Sequence, residues 1–85
     1  MSQTYSKILN AYPESEFVAA DGFNEAVIGV DLDEGRLIYS VSKCIDVLVY
    51  VDNMPFEKAV EYFEEHVRPA FDDVEGGPIW ANTDF

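Results

Sequence analysis

The strongest constraint on the fold is an apolar stripe at helical spacing, bounded by two prolines. Its members recur every three or four residues, the period at which side chains of an α-helix share one face: Phe56, Ala59, Val60, Phe63 and Val67. Pro55 suits the first helical position, where its missing N–H is no loss. Pro69 ends the pattern, because the residue before a proline is pushed out of the α region. We expect an amphipathic helix over Phe56–Val67 that buries the stripe.

The preceding segment, Ser40–Val51, fits either a helix or a strand. A helical face is formed by Val41, Ile45, Leu48 and Val49, whereas strand-like alternation runs through Ile45, Val47, Val49 and Val51. The segment has no internal turn signal and is long for a strand in so small a protein. Ser40 or Ser42 is also a suitable N-cap residue. We therefore predict a helix, apolar over more than half its circumference and deeply buried.

Three short apolar runs predict a small sheet. Ala26–Val30 and Arg36–Tyr39 flank the turn residues Leu32–Gly35, which is the pattern of a β-hairpin. Within the first strand, Gly29 is expected to mark a β-bulge or a close backbone approach. Pro78–Ala81 is predicted to form a third strand, with its proline at the start, where the ladder tolerates it.

The N-terminal part adds a predicted helix over Thr4–Tyr12, a short edge strand over Phe17–Ala20 and a turn at Asp21–Gly22. The chain then reads as helix, hairpin, two helices and strand. We predict a single α+β domain over residues 1–85, in which a three-stranded, mostly antiparallel sheet carries the helices on one face. The expected core contains Ile28, Ile38, Ile45, Leu48, Phe56, Phe63 and Trp80.

Charge restricts the partners that the chain can bind. Seventeen acidic residues face five basic ones, giving a formal net charge of −12. Such a chain repels nucleic acids and anionic membranes and is attracted to basic protein surfaces. No apolar run approaches the roughly 20 residues of a membrane span, and a single cysteine fits a reducing compartment. We expect a cytoplasmic protein that binds neither nucleic acid nor membrane directly.

The residues that usually carry chemistry are few and scattered. Cys44 falls in the apolar part of one predicted helix and His66 at the end of the other, so they do not form an evident nucleophile and base. Asp31, Asp33 and Glu34 lack the spacing of a calcium loop and its distal glutamate. We therefore expect no enzymatic activity, no cofactor and no metal site.

Two groups of acidic residues are candidates for binding a partner. The first lies on the exposed face of the predicted Phe56–Val67 helix and contains Glu57, Glu61, Glu64 and Glu65, and the second is a loop with Asp72, Asp73 and Glu75. Like charges one helical turn apart destabilise a helix by a few tenths of a kcal/mol per pair. The helical group is therefore either a solvated face or a face kept for a partner. Adaptation to high salt is another explanation of the high number of acidic residues in the chain.

Several segments resemble a group of short uncharacterised proteins encoded by tailed phages and prophages. The resemblance is carried by DGFNEAVIGV at Asp21–Val30, RLIYSVSKCI at Arg36–Ile45, the helix Glu57–Phe63 and GPIW at Gly77–Trp80. It implies a phage context and favours proteins that bind host machinery. It implies no catalytic residue.

Charge and resemblance together give one main functional hypothesis. We expect a small acidic binding protein that occupies a basic, nucleic-acid-binding surface of a host protein, as DNA mimics and anti-CRISPR or anti-restriction inhibitors do. Two alternatives remain open. One is an enzyme or a small-ligand domain that uses a cleft between the sheet and the helices, although no catalytic motif supports it, and the other is an accessory phage protein without an inhibitory role.

Overall fold

The computed structural model describes residues 3–14, 16–20 and 22–82 of the 85-residue chain. It has the predicted α+β architecture. In chain order the elements are α1 (Gln3–Ala11), a 3-10 turn (Asn24–Ala26), β1 (Val27–Asp31), β2 (Arg36–Ser40), α2 (Val41–Tyr50), α3 (Phe56–Tyr62), a π turn (Phe63–Val67), a second 3-10 turn (Pro69–Phe71) and β3 (Ile79–Ala81). No described helix is both long and apolar enough to cross a membrane.

The three strands form one mixed sheet in the order β1-β2-β3. β1 and β2 are antiparallel, as expected of a hairpin, whereas β3 runs parallel to β2, with Ile79 opposite Ile38. A parallel neighbour requires a crossover connection of a dozen or more residues. Residues 41–78, which include both helices of the predicted pair, supply that connection. The sheet is therefore mixed rather than mostly antiparallel.

A β-bulge in β1 changes which side chains reach the core. Val27 lies opposite Tyr39 and Gly29 opposite Ile38, so Ile28 is an extra residue on the β1 side of the ladder. The bulge expected near Gly29 is confirmed. The extra residue interrupts the alternation of faces along the strand. The prediction that Ile28 belongs to the core is wrong for this reason, and its side chain is 39% exposed.

The core lies against the sheet face that carries Leu37 and Tyr39, both of which are completely buried. All three α-helices contribute to the same cluster, with Ile8 from α1, Leu48 from α2 and Ala59 from α3, and the π turn adds Phe63. Helices packed on one face of the sheet are therefore confirmed. Each fully buried side chain of this size adds about 1.5–3 kcal/mol of burial free energy, so a small cluster can hold a domain of this length.

Trp80 joins the last strand to this core through three aromatic contacts. Its ring lies 5.2 Å from that of Phe63 in an edge-on arrangement, 5.4 Å from Tyr39 and 6.0 Å from Phe71, measured between centroids. Edge-to-face and tilted pairs at these distances stabilise beyond the area that they bury. The cluster thus fixes β3, the π turn and β2 relative to one another.

The Ser40–Val51 segment is the predicted helix. The Ser40 hydroxyl accepts a hydrogen bond from the Lys43 backbone N–H at 3.3 Å, so Ser40 is the N-cap. At the other end Asn53 adopts a left-handed conformation with φ of 58°, and the Met54 N–H donates to the Leu48 carbonyl at 3.1 Å. Asparagine tolerates this conformation better than most residues. The turn reverses the chain into α3.

The predicted edge strand Phe17–Ala20 is wrong, because this segment runs irregularly and pairs with no described strand. It is held instead by a side chain: the Ala20 N–H donates to the Tyr39 hydroxyl at 2.8 Å. This bond satisfies a buried backbone donor without a ladder partner. Of the predicted Asp21–Gly22 turn, Asp21 lies outside the described residues, and Gly22 has a positive φ of 88°.

In the apolar stripe predicted over Phe56–Val67, Ala59, Phe63 and Val67 are buried. Phe56 is 63% exposed. Placing Phe56 in the core is therefore wrong. At 1.5 Å per residue, Phe56 lies about 10 Å along the helix from Phe63, beyond the core around Trp80.

Pro55 is the N-cap rather than the first helical residue. Of the other predicted core residues, Ile45 and Leu48 are buried, and Ile38 and Trp80 are half-buried.

The two phenylalanines of this stripe form a matched pair for testing the fold. Phe63→Ala should lower the free energy of unfolding by about 3–5 kcal/mol, because it opens a cavity beside Trp80. Phe56→Ala should change it by no more than about 0.5 kcal/mol, as for an exposed residue. Urea unfolding followed by Trp80 fluorescence gives both values, and Phe63→Leu replaces Phe63→Ala if the latter does not fold. Equal losses at the two positions would contradict this packing.

Candidate functional site

All seven acidic residues predicted to bind a partner are exposed, but they are not equivalent. Glu64 is neutralised by Arg68, whose Nη1 lies 3.2 Å from the nearer Glu64 carboxylate oxygen, one helical turn away. The remaining six have no ion-pair partner among the described residues: Glu57, Glu61, Glu65, Asp72, Asp73 and Glu75. Glu64 is therefore the weakest candidate of the predicted set.

A π turn replaces the end of the predicted α-helix. The Arg68 N–H donates to the Phe63 carbonyl, five residues back, at 2.9 Å. Tyr62 and His66, four residues apart, lie on one side of this helical segment, and their ring centroids are 5.0 Å apart. π turns are rare and occur frequently at functional sites. Periodicity analysis at a single helical period cannot detect such a change.

One groove runs along the outer side of α3 and the turn before it. We call it the α3 groove; its volume is about 370 Å³. It is lined by Asn53, Met54, Pro55, Lys58, Glu61, Tyr62, Glu65 and His66. The structure thus brings Glu61 and Glu65 together with one lysine and two rings. It leaves Glu57 outside this lining, so the predicted acidic stripe is only partly a single site.

A second groove adjoins the first at Tyr62. We call it the α2 groove; its volume is about 290 Å³. Six of the eight residues that line it have apolar or aromatic side chains, namely Phe23, Val47, Leu48, Val51, Tyr62 and Val67, and the other two are Gly22 and Asp52. Tyr62 is the residue common to both grooves and is 42% exposed, while Val51 is 70% exposed. Neither residue was predicted to belong to a site, because Tyr62 stood out in no sequence pattern and Val51 did so only in the pattern of the Ser40–Val51 segment.

The acidic loop forms a separate surface. It follows the 3-10 turn Pro69–Phe71 and consists of consecutive turns, in which the Val74 N–H donates to the Phe71 carbonyl and the Gly77 N–H to the Val74 carbonyl, each at 3.2 Å. Neither groove is lined by Asp72, Asp73 or Glu75. The two predicted groups of acids therefore do not form one concave site.

Cys44 is completely buried in α2, as expected of a small apolar residue. Burial raises the pKa of its thiol to about 12. The thiolate is the reactive form of cysteine, and burial in apolar surroundings disfavours it. His66 lies on the protein surface in the α3 groove. The two residues do not share a site.

The aspartate before the hairpin turn has a structural role. The Asp31 carboxylate accepts hydrogen bonds from the Asp33 N–H at 3.0 Å and the Glu34 N–H at 3.4 Å. Such a bond from an aspartate side chain to the backbone two residues on is the usual Asx turn. Among the described residues there is no group of three or more potential ligands that could hold a metal ion.

Comparison with known proteins gives no match: no protein-family model, no curated protein and no solved structure is similar to this chain. The residues of the two grooves and the exposed carboxylates are the basis for inferring a function.

The buried thiol gives a test that needs no partner. Cys44 should resist a thiol reagent in native buffer at pH 8 and react fully in urea, because both burial and its raised pKa suppress the thiolate. Above about pH 9 the unfolded chain loses the thiol proton while the folded chain keeps it, so the free energy of unfolding should fall as pH rises towards 12. Rapid labelling of the folded protein would show that Cys44 is accessible.

Proposed function

We propose that this chain is a small acidic binding protein of the phage type that occupies a basic, nucleic-acid-binding surface on a host protein. As an inhibitor of this kind it would act in the host cytoplasm, in the manner of anti-CRISPR or anti-restriction proteins. The observation that carries the proposal is the set of six exposed carboxylates without an ion-pair partner among the described residues, on a chain of net charge −12.

Exposed carboxylates have the properties that a phosphate mimic needs. Each presents two acceptor oxygens, and hydrogen bonds from arginine or lysine to a carboxylate are about twice as strong as neutral ones. Arginine binds carboxylates and phosphates with the same forked geometry. A protein surface built to bind phosphates would therefore also bind Glu57, Glu61 and Glu65.

The same charge favours fast and salt-sensitive association. Complementary fields steer the encounter of two proteins, and salt screens them over about 8 Å at ~0.15 M. A nucleic acid and this chain would compete for one basic surface, because both carry the same sign of charge. Direct binding of the chain to nucleic acid or to an anionic membrane is disfavoured on the same ground.

A small-ligand domain is the second candidate, and the α3 groove is the observation that favours it. Its volume of about 370 Å³ lies within the roughly 300–1,000 Å³ of small-molecule pockets. Tyr62, His66 and Met54 give it a partly apolar lining. A ligand-binding domain would keep its affinity for that ligand at high salt and would not be displaced by DNA.

Replacement of three helical glutamates tests the main proposal. Glu57→Gln, Glu61→Gln and Glu65→Gln together remove three charges at nearly constant shape, and Glu64 is left intact because it pairs with Arg68. The immobilised variant should capture less of a basic protein from bacterial lysate than the parent does, and salt or DNA should release what the parent captures. The variant should fold at least as well as the parent, since like-charge repulsion is relieved.

A matched control separates a local face from overall charge. Glu14→Gln, Glu16→Gln and Asp33→Asn remove three other exposed charges and give the same net charge. This control should capture its partner almost as the parent does. If both triple variants lose binding equally, only net charge matters. If neither does and DNA releases nothing, the proposed mimicry is wrong.

A further inference from the structure

We propose that the α3 groove and the α2 groove together dock one extended segment of the partner, with an arginine side chain in the α3 groove and an adjacent large apolar side chain in the α2 groove. The inference rests on the proposed function and deepens it, since it names the chemistry that the partner must present. It moves the centre of the interface from the acidic stripe to Tyr62.

The two grooves are arranged for such a segment. They share Tyr62, so an occupant can pass from one to the other across a single half-exposed ring. Val51 and Phe23 are apolar residues of the α2 groove, which also contains Asp52, whereas the α3 groove contains two glutamates, Glu61 and Glu65. Centres of protein interfaces are enriched in aromatic residues and arginine, and polar groups surround them. The pattern here is an aromatic centre with acids on one side.

Arginine fits the α3 groove better than other side chains. Glu61 near the end of α3 and Glu65 in the π turn line the same groove, where both can accept hydrogen bonds from one guanidinium. Guanidinium groups also stack on aromatic rings, and Tyr62 lies between the two glutamates in sequence and lines the same groove. Lys58 also lines the groove, and its positive charge repels a bound cation. Two carboxylates against one lysine still leave the groove with an attraction for positive charge.

Charge also selects among other occupants of this surface. Residues 52–75 carry eight acids against two bases, Lys58 and Arg68. A second copy of the chain has the same net charge of −12 and is repelled. Nucleic acid is repelled for the same reason. A basic segment is therefore the occupant that the surface favours, and the apolar residues of the α2 groove favour one that also presents an apolar side chain.

Capped synthetic peptides test the docking directly. The probe carries two Arg-Leu pairs, and three control peptides carry Arg-Gly, Lys-Leu or Gln-Leu pairs instead. Amide shifts of the isotope-labelled protein should move with the Arg-Leu peptide at the residues of both grooves, within 22–23, 47–54 and 58–67, with the Asp72–Glu75 loop unmoved. Arg-Gly, Lys-Leu and Gln-Leu peptides should each bind more weakly. Equal binding of Arg-Gly, equal binding of Lys-Leu, or shifts spread over the whole surface would overturn the inference.

Protein variants locate the contacts. The double variant Glu61→Gln, Glu65→Gln should weaken Arg-Leu binding about fivefold, which is within the range expected for the loss of two exposed ion pairs. The control Asp72→Asn, Asp73→Asn removes the same number of charges. It should change Arg-Leu binding by less than about twofold. Tyr62→Ala should weaken it about fivefold or more, as an interface centre does, and Leu32→Ala, at a residue 60% exposed in the hairpin turn, should not. Thermal melts show whether each variant folds. Equal effects of test and control variants would overturn the docking site.

Lys58→Gln provides a variant that should gain affinity. Removing the positive charge of Lys58 from the α3 groove should tighten Arg-Leu binding about twofold or more, because its repulsion of the peptide arginine is lost. Unchanged or weaker binding would contradict an arginine in this groove. If the Arg-Leu peptide fails to bind while DNA still displaces a captured basic protein, this inference fails and the proposed function stands. If the peptide binds but DNA displaces no captured protein, the docking site stands and the proposed function fails.

Discussion

The edge-on contact between Phe63 and Trp80, with ring centroids 5.2 Å apart, determines most of this structure. It joins the end of α3 to the short strand β3, which lies beside β2 at the end of a long crossover. It also fixes the rotation of α3, because Ala59 and Val67 must then point inward with Phe63. Glu61, Tyr62 and Glu65 are left facing outward. The groove is thus a consequence of how the core is packed.

Phe63 also stabilises the π turn. The Phe63 carbonyl accepts from the Arg68 N–H at 2.9 Å, and the Arg68 guanidinium lies 5.7 Å from the centroid of the Phe63 ring. A cation above an aromatic face is attracted by the ring quadrupole. The guanidinium also pairs with Glu64. Arg68 therefore removes one acid from the exposed set while it holds the turn that positions Glu65 and His66.

The helices and the hairpin could be predicted from the sequence because their signals are local. The buried positions of α3 follow from spacing, and the bulge follows from Gly29 in a strand pattern. Four features depend on tertiary structure and were missed: the parallel direction of β3, the irregular course of Phe17–Ala20, the exposure of Phe56 and the exposure of Ile28. In the second case a single bond to the Tyr39 hydroxyl replaces a strand partner. No local pattern encodes such a bond.

For the site, exposure of the acids was predictable, but their grouping was not. The pairing of Glu64 with Arg68 follows from i,i+4 helical spacing, whereas the groove depends on the reversal of the chain at Asn53, which places Asn53 and Met54 beside Glu61 and Glu65. That reversal converts an acidic stripe into a concave surface with an aromatic centre. Acidity alone attracts any basic protein, whereas a shaped groove beside an apolar one selects among them.

The most direct test of this account is a double-mutant cycle between Glu61 and the arginines of the Arg-Leu peptide. Dissociation constants are measured for parent and Glu61→Gln, each with the peptide and with its Gln-Leu counterpart, and the same cycle is repeated with Asp73→Asn. We expect a coupling energy of about 0.5–1 kcal/mol for Glu61, as for a well-formed exposed ion pair, and less than about 0.3 kcal/mol for Asp73. Equal coupling energies at the two positions would show that charge acts without a defined site.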